Sequence, residues 1–496
     1  MLRQTRFIIL FTPALLCLIL AGLLAAAQVV EYNAERNLLP TGTSVAGIPV
    51  GGLSRSETAT RLVQAYVLTP VELQIKDNRV HVDPVAAGLE LDLASMLSQV
   101  DRALAERSYW TGFWDHLWNR PPAAVETGLI CVVNETKLRA YLTELLGSRY
   151  DLAPSPATPL PGDSSFQAGQ PGETLNVEDS LPELSQALCK RTARSVKLSS
   201  TPSPALPPSP EQLQLALETL IQVSAFDGTL ELYFEDLQTG AAFSLASNNG
   251  RVVEPGIAFT AASTIKIPVM VSAYKQMDGE LPTDLRQEMA QMIDLSDNSS
   301  TDEVMQRVLD VNLAPIQVSQ DARALGLENT FLAGFFYPGA PLLERYRTPA
   351  NQRTDLSTDP DIYNQTTAAD MGRLLASIQR CAAQNSGLLT ETFRGQISQE
   401  ECQEMVDLLL KNRKGVLIEA GLPEGTPVAH KYGWVTDPAD GLMHQASDAA
   451  LVFTPGGDFA LTVYLHQADQ LQWDPAQRLV ARLTTAVYNY FNQWRK

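Results

Sequence analysis

Apolar and polar positions alternate with different periods along the chain, and the changes of period divide it. Residues Phe7 to Ala27 are almost uninterruptedly apolar. At ~1.5 Å rise per residue this run spans a bilayer core of ~30 Å, which predicts a membrane helix over residues 7–27. From Gly42 to Tyr66 the pattern reads as a short hairpin followed by a helix, with Ser54 as its cap and Glu57 three residues on. The polar, proline-spaced stretch from Asp151 to Ser165 predicts an exposed loop, and Phe166 to Leu188 repeats the plan of glycine turn, strand and acidic helix start. Residues 201–210, TPSPALPPSP, lack backbone donors at five prolines and read as an extended linker. Beyond it come a helix from Glu211 to Gln222 and a hairpin turning at Asp236 to Gly240. A second hairpin turns at Pro455-Gly456-Gly457, and a terminal helix opened by Asp474-Pro475 runs to Trp494. Strands flanking a helical middle predict an α/β sandwich: an antiparallel sheet built from both ends of the domain, with helices on its faces and in a second lobe. The part before the linker reads as an α+β module.

Length agrees with this division, since 496 residues exceed what one core normally serves. The expected organisation is an anchor at 1–30, a domain at 40–200, the linker at 201–210 and a second domain at 211–496. Charge narrows the partners. Lys plus Arg number 37 against 56 Asp plus Glu, a net charge of −19 that repels phosphate backbones and excludes nucleic acid as a natural partner. Arg3 and Arg6 precede the apolar run while Glu31 and Glu35 come after it. The positive-inside tendency then leaves the bulk of the chain extracytoplasmic, periplasmic or facing the cell wall, on a single-pass membrane segment. Ala25-Ala26-Ala27 offers a cleavage site, but the run is longer than a typical cleaved signal, and an uncleaved anchor is expected. With Cys17 in the membrane, four cysteines remain outside. An oxidising compartment and an even count predict disulfides within each domain, Cys131–Cys189 and Cys381–Cys402. No CxxC pair or HExxH is present, which excludes zinc ribbons and zinc proteases of that type.

The helical middle carries candidate chemistry. Ser263-Thr264-Ile265-Lys266 opens an apolar helix, and a separation of three residues is nearly one turn, so Lys266 reaches the Ser263 hydroxyl. A buried lysine with a depressed pKa can take the proton of a serine nucleophile, and a helix amino terminus stabilises a developing oxyanion. Ser-x-x-Lys alone recurs by chance in a chain this long. Ser296-Asp297-Asn298 at the start of the next helix and Lys431-Tyr432-Gly433-Trp434 at the start of a late strand complete an ordered set.

At these residues the chain resembles class A β-lactamases and related penicillin-recognising serine enzymes, across residues 215–494. The resemblance implies a β-lactamase/transpeptidase-like sandwich with Ser263 as the acylated nucleophile, Lys266 as its base or relay, and Ser296 passing a proton to the leaving nitrogen. It implies that Asn298 orients Lys266 and the substrate amide, that Lys431 holds a substrate carboxylate, and that the oxyanion sits between the N–H groups of Ser263 and Trp434, beside Gly433. No metal or organic cofactor is implied. Three departures stand out. Tyr432 replaces a small hydroxyl residue, the connection from Lys266 to Ser296 is short and suggests an open cleft, and no Glu-x-x-Leu-Asn occurs between residues 328 and 365. Glu344, Asp355, Asp359 and Asp361 are the carboxylates there, none with the motif around it, so slow release of an acyl-enzyme is expected.

Residues 40–200 resemble the peptidoglycan-binding domain that accompanies VanW-like and cell-wall transpeptidase proteins, through Val45-Ala46-Gly47-Ile48-Pro49-Val50-Gly51-Gly52-Leu53-Ser54 and Gly169-Gln170-Pro171-Gly172-Glu173-Thr174-Leu175. The combined expectation is a membrane-anchored serine hydrolase of the class A type. Its substrate would be a β-lactam or a peptidoglycan stem peptide, with peptidoglycan a further partner of residues 40–200. The alternatives are a D-Ala-D-Ala carboxypeptidase or transpeptidase, and a wall-binding protein without catalysis.

Overall fold

The computed structural model describes residues 2–106, 108–277 and 282–494, with side chains described from Pro13 onward. The chain forms two units, residues 1–154 with 171–204, and residues 155–170 with 205–496.

In the first unit the long apolar run becomes helix α1 (Leu2–Glu35), whose segment Pro13–Glu35 is long and apolar enough to cross a membrane and is nowhere buried. A signal sequence near the amino terminus meets the same test. The hairpin expected after Gly42 pairs Ser44–Val45 with Ile48–Pro49. Helix α2 (Arg55–Tyr66) starts at a capping box in which Glu57 accepts the Ser54 N–H at 2.8 Å. Helices α3 (Leu93–Ala105) and α4 (Tyr109–Leu117) come next. A three-stranded sheet centres on β1 (Val71–Ile75), antiparallel to β2 (Asn78–Val82) and parallel to β3 (Ser195–Lys197). Helix α5 (Val177–Leu188), capped by Asn176, covers it, and Leu73, Leu138, Leu142, Leu184 and Leu188 form the core between them. The disulfide Cys131–Cys189 lies in this unit, as expected.

Two sequence expectations change here. The proline-rich stretch is not a free linker from its first residue: Ser200–Ser203 pairs as a strand with Gly172–Leu175. Prolines impose an extended chain, and an edge position tolerates their missing donors. The segment expected as an exposed loop, Asp151 to Ser165, is exposed or half-buried except at Ala157, but it also forms half of a short hairpin, Thr158–Pro159 with Phe166–Gln167, and Ala157 joins Phe166 in the core of the second unit.

The second unit is built on a six-stranded antiparallel sheet. Its strands are β4 (Thr229–Asp236), β5 (Ala242–Asn248), β6 (Arg251–Val253), β7 (Val428–Thr436), β8 (Met443–Val452) and β9 (Phe459–His466), in the spatial order β6-β5-β4-β9-β8-β7. Both ends of the domain contribute, as the strand pattern requires. Every residue of β4 is buried, because helices cover both faces. Leu230, Leu232 and Phe234 face the layer of helix α6 (Pro210–Val223) and the carboxy-terminal helix. Tyr233 faces the helical lobe, where α7 (Lys266–Gln276), α8 (Asn298–Val308), α9 (Ala368–Gln384) and α10 (Gln399–Leu410) pack. The carboxy-terminal helix α11 (Trp473–Asn492) begins one residue before the expected Asp474-Pro475 opening. Cys381–Cys402 joins α9 to α10, closing a loop whose entropy is worth about 3 kcal/mol. This architecture, sheet between helical layers with a helical lobe, is the one the sequence pattern predicts. It leaves β7 as an edge strand alongside the 3-10 turn at Ala262–Ile265 that precedes α7.

Candidate active site

The chain reaches the nucleophile candidate through a strained turn. Residues Ala262–Ile265 form a single 3-10 turn ahead of α7, and Ala262 takes φ +48°, a left-handed value that a residue with a Cβ adopts only when its surroundings enforce it. Thr264 turns inward, donating to Ala261 O at 2.6 Å and sharing a 2.8 Å hydrogen bond with the Tyr464 hydroxyl. Ser263 is left half-buried at the other side of the turn.

Lys266 is fully buried one turn later. Its Nζ lies 3.2 Å from Ser263 Oγ, 3.0 Å from the Ser296 carbonyl, 3.4 Å from Ser296 Oγ and 2.8 Å from Asn298 Oδ1. Removal from water pushes its pKa down to about 8, against the opposing pull of Asp297 and Asp302. The structure thus gathers Ser263, Lys266, Ser296 and Asn298 around one ammonium.

The second serine also sits on unusual backbone. Ser296 has φ +60° and ends an irregular helical turn. The cap of α8 is the next residue, Asp297, whose carboxylate accepts the Ser300 N–H at 2.6 Å. Because Asp297 does the capping, the Ser296 hydroxyl is free to face Lys266. The short connection between the two motifs includes residues 278–281, which lie outside the described residues.

The third element is β7. Lys431, Tyr432, Gly433 and Trp434 lie in the middle of this strand rather than at its start, where the sequence pattern puts them. Lys431 is buried with Nζ 3.2 Å from the Tyr432 carbonyl and 4.5 Å from the Tyr432 ring. Burial first, and the Lys266 charge second, pull its pKa to about 7. A Cβ on Gly433 would come 2.8 Å from the Ser263 nitrogen, so glycine is what lets this strand close on the nucleophile turn. The Tyr432 ring belongs to the core on the opposite face of the sheet from Ser263 and stacks on Trp434 at 4.8 Å.

Two residues escape a reading of the sequence. The Phe336 ring centroid lies 5.1 Å from Lys266 Nζ, and the Phe336 N–H donates to the buried Asp302 carboxylate at 2.9 and 3.1 Å. Burial raises the pKa of Asp302. A signal for Asp302 exists in the spacing: it stands four residues after Asn298, on the same helix face. Phe336 has none, since it is brought in by a loop. Of the four loop carboxylates, Asp355 pairs with Arg353 at 2.7 Å and Asp361 accepts from Tyr363 N–H and the Asn364 amide. Glu344 and Asp359 are exposed. Among the described residues no carboxylate hydrogen-bonds Ser263 or Lys266. In the β7–β8 turn, Asp437, Asp440 and His444 present metal-capable atoms within 4.8 Å of one another, apart from the residues gathered at Ser263.

Residues 212–289 and 279–491 match the model of the β-lactamase enzyme family. That is more than half of the 496 residues, and the chain belongs to this family. Among solved structures it is similar to PBP-A, at 19% identity and TM-score 0.39 over 56% of this chain and 96% of that one. It is also similar to an ancestral class A β-lactamase, at 20% identity and TM-score 0.40 over 56% of this chain and 100% of that one. A β-lactamase from Sphaerobacter thermophilus matches at 18% identity and TM-score 0.40, over 57% and 97% of the two chains. No curated protein matches the chain significantly.

Proposed function

We propose that the second unit is a serine acyl-transfer hydrolase that reacts through Ser263 with β-lactams or related cell-wall amides. The observation that carries this reading is the 3.2 Å approach of the buried Lys266 Nζ to Ser263 Oγ. Desolvation lowers the pKa of that amine to about 8, so its free-base fraction can accept the serine proton as Oγ attacks the amide carbonyl. The Ser263–carbonyl bond forms, the oxyanion gathers between the Ser263 and Trp434 N–H groups, and the proton passes from Lys266 to Ser296. Ser296 delivers it to the leaving nitrogen as the C–N bond breaks. Asn298 keeps Lys266 aligned, and Lys431 attracts the substrate carboxylate.

Release of the acyl group needs a base beside an attacking water, and general-base help is typically worth 10²–10⁴-fold. Among the described residues no carboxylate hydrogen-bonds Ser263 or Lys266 to serve as that base, and a Phe336 ring lies 5.1 Å from Lys266 Nζ. This favours the second reading, a penicillin-binding D-Ala-D-Ala carboxypeptidase or transpeptidase whose acyl-enzyme waits for an acceptor. In both readings α1 anchors the chain with its bulk extracytoplasmic, and residues 40–200 hold it at peptidoglycan.

Intact-protein mass after exposure to a penicillin tests the proposal. A single adduct on the native chain, absent from Ser263→Ala, is expected; equal labelling of Ser263→Ala overturns the assignment. With nitrocefin the expected course is a stoichiometric burst and a nearly flat line, whereas sustained turnover of many equivalents refutes slow release.

A further inference from the structure

Helix α4 and its C-cap residue expose three tryptophans to solvent on one side: Trp110, Trp114 and the cap Trp118 are 66%, 57% and 70% exposed, with Leu117 beside them at 38%. At about 100° per residue these four positions fall within roughly a third of the helix circumference. The other side of α4 is docked on the end of α1. Tyr32 Oη donates to Tyr109 O at 3.2 Å, its ring meets Tyr109 and Phe113 edge-on at 5.3 and 5.6 Å, and Glu35 pairs with His116 at 2.8 Å. Gly112 leaves no space for a side chain against the Tyr32 hydroxyl.

That docking point has a depth. The apolar run of α1 ends at Ala27; Gln28 and two valines follow before its first acidic residue, Glu31. At ~1.5 Å per residue Tyr32 stands about 7.5 Å beyond the run, at the level of the headgroups. A helix fixed to Tyr32 is held at that level, and indole, apolar with one polar N–H, is the side chain most suited to it.

We propose that α4 is an interfacial helix, with Trp110, Trp114 and Trp118 seated among the lipid headgroups of the membrane that α1 crosses. The inference rests on the reading of α1 as a membrane anchor. Continuity with α1 selects lipid as the occupant, since the exposed stripe belongs to a helix pinned at the boundary itself. Three rings on the extracytoplasmic side then set the tilt and depth of the first unit, which a lone helix cannot do.

The test uses the full chain in vesicles of phosphatidylcholine and phosphatidylglycerol, 3:1, carrying dibrominated acyl chains. Three of six tryptophans would lie at the bilayer, so quenching should remove roughly half the emission, more with bromines at carbons 6 and 7 than at 11 and 12. The triple variant Trp110→Ser, Trp114→Ser, Trp118→Ser should lose most of the quenching yet stay in carbonate-washed membranes and keep penicillin labelling. Gly112→Val, which retains all three indoles but pushes α4 off Tyr32, should reduce it too. Native chain that resists carbonate but shows no quenching overturns this inference and leaves the anchor standing. Release by carbonate overturns the anchor itself. Absent quenching with energy transfer between labelled chains assigns the stripe to a second copy and also overturns it.

Discussion

In the proposed reaction Lys266 is the residue on which the chemistry turns. At an ordinary lysine pKa the amine is almost entirely charged at neutral pH and cannot accept a proton. At about 8, roughly one molecule in ten carries the free base at pH 7. Acylation of Ser263 by a saturating penicillin should therefore quicken as pH rises from 6 and level off above about 8. Lys266→Arg, which stays charged, should abolish the rise and slow acylation by 10²-fold or more in stopped-flow labelling. Substrate carboxylate attraction runs the other way: Lys431, near 7, loses its charge over the same range. The pH profile at low penicillin concentration should accordingly peak and then fall, while the saturating profile only rises. The two residues with left-handed backbone, Ala262 and Ser296, stand at the turns that bring the Ser263 and Ser296 hydroxyls within reach of the lysine.

Strand β4 shows how an element outside the site positions it. Glu231 is buried beneath the segment leading to the Ser263 turn, and its Oε2 accepts the N–H groups of Gly256 and Ile257 at 3.1 and 2.7 Å while Oε1 has no partner among the described residues. Burial raises its pKa from 4.5 to about 7. The protonated acid is thus favoured in the folded chain, so this residue's contribution is most favourable below about 4.5 and is lost as pH climbs through about 7. The loss is on the order of 3 kcal/mol. Glu231→Gln, which never ionises, should flatten the fall of urea-unfolding stability between pH 4.5 and 7.5. An unchanged slope would show that the carboxyl is solvated. Elements of this kind were legible from pattern: alternation marked β4 and β5, and Ser54 with Glu57 marked α2. The strand made by Ser200–Ser203 was not, because pairing depends on an edge supplied by Gly172–Leu175.

At the scale of the molecule, the two units have separate hydrophobic cores. Each is stapled by its own disulfide. Calorimetry should resolve two unfolding transitions, and a covalent penicillin should raise the Tm of one and leave the other where it was. A single transition moved as a whole by the acyl group would contradict this.

Sequence alone determined the features that local spacing dictates. One helical turn separates Ser263 from Lys266, a long apolar run makes α1, and an even number of cysteines outside it leads to two within-domain bridges. It also carried the order of three short motifs distant along the chain, which sufficed for the family. Only the tertiary structure decided the features that depend on loops and on faces. It gave the capping of α8 to Asp297 and so left Ser296 toward the lysine, turned the Tyr432 ring away from the site, and laid Phe336 against Lys266. It also set α4 on Tyr32 with its tryptophans outward. The physical reason is common to all four: burial and neighbour contacts fix which way a side chain faces, and those neighbours come from segments tens of residues away.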